Sequence, residues 1–187
     1  MPMSYSQVKY YQELGDYEAA YRIARADWSA NPSMKWPRST IAWLLIRMMK
    51  TNARVYGKNK FIRQLDEFKA LGIPPEDGKL WGAVVWPVRD IIEDSLRMQW
   101  FTAEFGDEIF TAIKDMPFAK HSDSYTALVL AFVKLGGLWP RLVEFIDWWG
   151  LDNFTEFDYR KYPEHGKLVS VAEKVQESYR LALIRNT

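Results

Sequence analysis

The chain has 187 residues, enough for one domain with a sizeable core, and its 48% apolar and 26% charged content excludes a disordered polymer. It contains no cysteine, which excludes disulfides, thiolate zinc sites and a cysteine nucleophile together. The formal net charge of +1 conceals an asymmetry: residues 1–75 carry 12 Lys and Arg against 6 Asp and Glu, and residues 76–187 carry 13 against 18, so the two halves are expected to present opposite fields.

Nine Trp, ten Tyr and ten Phe are unusually many; most are expected in the core, leaving a minority as surface anchors. The opening MPMSYSQVKYYQELGD lacks the basic start and apolar centre of a signal peptide, and no apolar run is long enough to span a membrane. A cytoplasmic protein is therefore expected, in which the Asn153-Phe154-Thr155 sequon has no role.

In chain order, Ser4 or Ser6 is expected to cap a first helix that ends at Leu14 and Gly15, with Val8 and Tyr11 inward. Asp16 caps the next helix, where Tyr17, Ala20, Tyr21, Ala24 and Trp28 share one face at three- and four-residue steps. Asn31-Pro32 stops it, because proline supplies no amide hydrogen and disfavours helical geometry in its predecessor. Pro37 suits the first turn of a third helix with Ile41, Leu44, Leu45, Met48 and Met49 on its apolar face, closed by Tyr56-Gly57. Lys58–Leu71 repeats the amphipathic period through Phe61, Ile62, Leu65 and Phe68, before Gly72 and the strong break IPPEDG.

From Leu80 to about Phe101 apolar residues lie almost all round, which predicts a buried central helix kinked or split at Pro87. Phe105-Gly106-Asp107 echoes Leu14-Gly15-Asp16 and is expected to be another helix-glycine-helix junction, followed by a short helix that stops at Pro117. Ser122, Asp123 or Ser124 caps an apolar helix ending at Gly136-Gly137, and Pro140 opens another that runs to Trp149. Residues 151–167 alternate acidic and aromatic side chains without a helical period and read as an ordered loop. A last helix begins near Ser170, where Ser170 and Glu173 have capping-box spacing, and buries Ala172, Val175, Tyr179 and Leu183.

The pattern predicts an all-α fold of eight or nine helices. Antiparallel helix pairs would pack as a compact bundle or as a short, degenerate α-solenoid, in one domain over 1–187 with a subdivision at 1–73 and 79–187. Gly15, Tyr17, Ala20, Ala24 and Pro32 fall at the spacing of the tetratricopeptide repeat, and over about one repeat the chain resembles that family. The resemblance implies helical hairpins that serve protein–protein interaction or scaffolding. The glycines at 15, 57, 106 and 136 mark junctions at irregular intervals, unlike a regular array. Asn31-Pro32, Ile41-Ala42-Trp43 and Val171-Ala172-Glu173-Lys174 also resemble helical modules attached to bacterial and phage conflict-system proteins, which implies a nucleic-acid-binding accessory subunit as the alternative.

Candidate chemistry is sparse. His121 and His165 fall in predicted loops without an i, i+4 partner for a metal. Asp90, Glu93 and Asp94, and Glu144 with Asp147, have spacings that could carry acid–base work but are also ordinary for a helix surface. No phosphate loop, nucleophile elbow or dinucleotide fingerprint occurs, and neither catalytic residues nor cofactor nor metal is expected. The clearest signal is basic: Lys35, Arg38, Arg47, Lys50, Arg54, Lys58, Lys60 and Arg63 occur in one stretch without a single acid. Arg47, Lys50 and Arg54 recur at helical spacing away from the apolar face, with Trp43 and Tyr56 nearby. Such a stripe can receive an acidic partner helix or the acidic half of another copy, neutralise phosphates while Trp36, Trp43 or Tyr56 stacks on bases, or simply be a solvated face. Phe154, Phe157, Tyr159 and Tyr162 could anchor a partner or pin their own loop to the core.

Overall fold

The first turn is set by two residues. Gly15 takes φ +75°, a conformation that costs a side-chain-bearing residue energy, and the amides of Gly15 and Asp16 return to the carbonyls of Gln12 and Tyr11. Asp16 then accepts the Ala19 amide at 3.0 Å and so satisfies one of the free donors at the next helix start. The computed structural model describes residues 3–117, 123–135 and 138–149, with positions 173, 174, 177, 180, 181 and 184, all helical. Among the described residues the fold is all-α. The helices are α1 (Met3–Glu13), α2 (Tyr17–Ala30), α3 (Lys35–Tyr56), α4 (Lys58–Ala70), α5 (Gly78–Arg97), α6 (Ala103–Ile113), α7 (Asp123–Leu135) and α8 (Leu142–Trp149).

The caps and stops expected for α2, α3 and α4 are all present. Gly57, at φ +77°, ends α3 and starts α4 in one residue, and Gly72, at φ +61°, follows α4. Helix α1 already runs from Met3, so Ser4 and Ser6 lie inside the helix rather than capping it. The last helix expected from Ser170 is represented by its exposed positions 173, 174, 177, 180, 181 and 184, while Ala172, Val175, Tyr179 and Leu183 lie outside the described residues. The segment 151–167, both histidines and the Gly136-Gly137 stop lie outside them as well.

Helix α3 is the centre of the N-terminal part. It packs against α2, α4 and α5, the last contact crossing the IPPEDG break, and buries Ile41, Ala42, Leu44, Leu45, Ile46, Met48 and Met49. Each large apolar side chain of this set contributes about 1.5–3 kcal/mol on transfer from water. Ala20 and Ala24 are completely buried, as close packing of α2 on its neighbours requires. On the outer side of these contacts α2 and α4 are joined by polar groups. The Tyr21 hydroxyl donates to Glu67, Arg25 pairs with Glu67 at 2.5 Å, and Lys60 pairs with Glu18 at 2.5 Å. Burial, and then the hydrogen bond to Glu67, push the Tyr21 hydroxyl above the ordinary tyrosine range.

Helix α5 is continuous through buried Pro87, so of the two expected outcomes the split does not occur. It is also amphipathic rather than apolar all round: Leu80, Val84, Val88, Ile91 and Ile92 face inward, whereas Lys79, Trp86, Arg89, Asp90 and Glu93 occupy a wetter side. The helix ends at Arg97, where Gln99 at φ +58° supplies the left-handed turn without a glycine. Arg89 pairs with Asp90, Arg97 with Asp94, and Lys134 of α7 with Glu93 at 2.9 Å. Arg141 meets Glu144 at 2.6 Å and holds its carboxyl below the ordinary range, first through that hydrogen bond. Of the carboxylates singled out in the sequence, four are thus tied into surface ion pairs.

Gly106 is the main correction. It is not a junction but the fourth residue of α6, which is capped by Thr102 accepting the Phe105 amide at 3.2 Å. What the position requires is the absence of a side chain: a Cβ there would lie 2.8 Å from the Trp139 ring and 2.9 Å from Phe101. Trp139 is 1% exposed, and its indole N–H donates to Asp107 at 2.9 Å. Around it Phe110, Phe132 and Phe145 pack with ring centroids 4.7–6.3 Å apart, and Trp148 of α8 donates to the Lys114 carbonyl at the end of α6. Gly106→Ala is expected to cost about 1–3 kcal/mol in urea unfolding, the usual cost of overpacking a tight core. Gly78→Ala, where an added Cβ meets nothing within 4 Å, is expected to be tolerated. Equal stability of the two variants would contradict this packing.

The proton on Tyr21 gives a second check. Its folded pKa lies above the unfolded value near 10, so its contribution to stability is complete below about pH 10 and is lost as pH climbs through the folded value. Titrating the phenolate absorbance should show a late component that Tyr21→Phe removes.

Candidate docking surface

Helical spacing and burial together define one open face on α3. Because α2, α4 and α5 occupy its other sides, the exposed positions line up at three- and four-residue steps: Ser39, half-buried Trp43, then exposed Arg47 and Lys50. Lys35 is exposed at the start of the helix. Arg54 continues the helical step and Tyr56 closes the helix, but their side chains lie outside the described residues. Neither Arg47 nor Lys50 has an acid within ion-pair distance among the described residues. The nearest hydrogen bond on this face is internal, from the Thr51 hydroxyl to the Arg47 carbonyl at 3.0 Å.

The remaining members of the basic stretch are placed elsewhere. Arg38 is half-buried and reaches the Gly72 carbonyl at 3.4 Å, so it braces the loop after α4. Lys60 is engaged with Glu18 across the α2–α4 contact. Lys58 is half-buried at the start of α4, and Arg63 is exposed on α4, where its Nε donates to the Asn59 carbonyl at 3.3 Å. The ten residues expected to act together are therefore divided between two helices. Trp43, Arg47 and Lys50 share the α3 face, and Lys58, Lys60 and Arg63 lie on α4.

Two features escaped the sequence reading. On α5, Trp86 is half-buried with the Arg89 guanidinium 4.7 Å from its ring centroid. An open groove of about 440 Å³ runs between α4 and α6, lined on the acidic side by Asp66, Glu104, Asp107 and Glu108 and on the apolar side by Ile62 and Ala112. Lys69 also lines it. One oxygen of Glu108, Oε2, is enclosed and has no hydrogen-bond partner among the described residues. The signal was present as Glu104, Glu108 and Ala112 at successive four-residue steps, but the assignment of Gly106 as a helix stop broke that period. Among the described residues no group of three or more His, Asp or Glu side chains converges as a metal site would, and no helix is long and apolar enough to cross a membrane.

Comparison with protein-family models, curated proteins and solved structures finds no match for the chain. The geometry alone supports the functional reading below. Since Arg47 and Lys50 are exposed and have no ion partner among the described residues, Arg47→Glu with Lys50→Glu is expected to change unfolding free energy by no more than about 0.5 kcal/mol. A loss of several kcal/mol in the same urea titration would make this face part of the structural framework instead of a docking surface.

Proposed function

We propose that this chain is a non-enzymatic docking module that receives an acidic protein segment on the outer face of α3. The observation that carries the reading is the combination on one helix face of a half-buried Trp43 with the exposed, acid-free cations Arg47 and Lys50. Trp43, half-buried and packed in part against the core, supplies a rigid anchor, and cations at its side select a negatively charged partner. Helix pairing adds support. Gly15 in the left-handed conformation, Ala20 and Ala24 fully buried, and Pro32 just beyond α2 are compatible with the expected tetratricopeptide-like hairpin. Helix α2 packs on both α1 and α3, and ion pairs link it to α4, so the N-terminal helices offer paired surfaces of the kind interaction modules use. A scaffold in the cytoplasm is the setting in which this reading makes sense.

Nucleic-acid binding is the second reading, favoured by Trp43 as a stacking platform between cations. It is weaker because Arg38 and Lys60 are engaged within the fold, which leaves a short cationic face where phosphate tracking uses many contacts. Fluorescence anisotropy separates the two. A labelled Glu-rich helical peptide is expected to bind at low salt, with affinity reduced about tenfold or more by Arg47→Glu with Lys50→Glu and also by Trp43→Ala. Single-stranded DNA or RNA binding more tightly than the peptide, with a steep salt dependence that the same substitutions abolish, would replace the first reading with the second. No binding of any probe at low salt would overturn both.

A further inference from the structure

We infer that the acidic partner of the α3 face includes a second copy of this chain, whose α4–α6 groove accepts Trp43, Arg47 and Lys50 head to tail. The inference rests on the docking reading above and names its occupant. Its basis is complementarity in both charge and spacing. The cationic face belongs to the half of the chain with excess positive charge; α6, which supplies most of the groove's carboxylates, belongs to the half with excess negative charge. Along α3 the order is aromatic, cation, cation at residues 43, 47 and 50, which spans about 10 Å at 1.5 Å per residue. Along α6 the order read backwards is apolar, acid, acid at residues 112, 108 and 104, spanning about 12 Å. An antiparallel alignment sets Trp43 against Ala112 and neighbouring Ile62, Arg47 against Glu108, and Lys50 against Glu104.

Glu108 is half-buried on the groove wall, and its Oε2 is enclosed in the free chain with no hydrogen-bond partner among the described residues. The alignment requires this carboxylate to turn outward to meet Arg47, and gaining a partner for an unpaired acceptor favours that turn. A guanidinium delivers several donors in a planar fork that fits a carboxylate, so Arg47 is the better of the two cations for that position. Lys50 then faces exposed Glu104, where a flexible ammonium suffices. The α3 face looks away from α4, which packs on its buried side, so a chain cannot fill its own groove in this way. The contact joins two different surfaces, which makes it heterologous: each added copy leaves one face and one groove free.

Sedimentation velocity over a range of protein concentrations tests this. At about 0.1 M ionic strength the mass is expected to grow with concentration beyond a dimer or to close as a ring. At about 1 M, where the Debye length falls from ~10 Å to ~3 Å, it is expected to return to monomer. Arg47→Glu with Lys50→Glu, and separately Asp66→Lys with Glu104→Lys, should each abolish the growth. The latter pair consists of exposed residues and so avoids a folding defect. Combining Arg47→Glu and Lys50→Glu with Glu104→Lys and Glu108→Arg should restore it. A wild-type monomer at every concentration, or self-association untouched by the groove variants, would overturn the inference. The Glu-rich peptide distinguishes this from failure of the docking reading: a monomeric chain that still binds the peptide through Arg47 and Lys50 loses only its self-partner, whereas a chain that binds neither loses both.

Discussion

Helix α3 is buried on all sides but one, and that constraint fixes what the rest of the N-terminal structure can do. Seven of its apolar residues, from Ile41 to Met49, are removed from water by α2, α4 and α5 together. A helix gripped in this way cannot rotate, since a turn about its axis would expose Leu44 or Met48 and bury Arg47 or Lys50 without a counter-charge. The cationic face is consequently held at a set angle by apolar packing on the opposite side. The ion pairs of the same region do a different job. Arg25, Tyr21 and Glu67 join α2 to α4, and Lys60 with Glu18 adds a second link, but these groups are partly exposed and contribute little energy beside the core. Their effect is to engage Lys60 within the fold, which leaves Trp43, Arg47 and Lys50 together on the open face of α3.

The C-terminal part solves its packing differently. Its core is aromatic, built on Phe110, Phe132, Trp139 and Phe145, and fitting rings this large requires a gap that only a residue without a side chain leaves. Gly106 supplies that gap beside Trp139, and Asp107 on the next residue receives the indole N–H, so one turn of α6 provides both the space and the acceptor for a buried tryptophan. The same helix lines the groove beside α4 with exposed Glu104 and half-buried Glu108. Core and candidate groove are therefore two faces of one short helix, and disturbing the first would displace the second.

Most of the helix pattern could be read from the residues because its punctuation has local causes. Asp16, Pro32, Gly57 and Gly72 act through their own backbone, and the apolar periods of α2, α3 and α4 are regular. The misreadings arise where the cause is distant in sequence. Gly106 looks like a helix stop until Trp139, 33 positions later, is seen to need its space. Gln99 performs a glycine's turn without the glycine's signature. Pro87 removes a hydrogen-bond donor without splitting α5, which packs against α3 and α7. The candidate surface was legible in part. Spacing alone placed Arg47 and Lys50 on the open face, but no local rule could show that Arg38 bends to the Gly72 carbonyl or that Lys60 meets Glu18, since both depend on how helices pack.

The claim on which the account depends is that Trp43 stands on an open, partner-receiving face while most other tryptophans support the fold. Fluorine NMR of protein carrying fluorotryptophan reads this directly, with nine indole signals assigned by single Trp→Phe replacements. The account predicts that the Trp43 signal responds to solvent in the free protein and moves on addition of a Glu-rich peptide, while the Trp139 signal stays fixed. A Trp43 signal that is insensitive to both solvent and peptide, or a perturbation centred on Trp139, would contradict it.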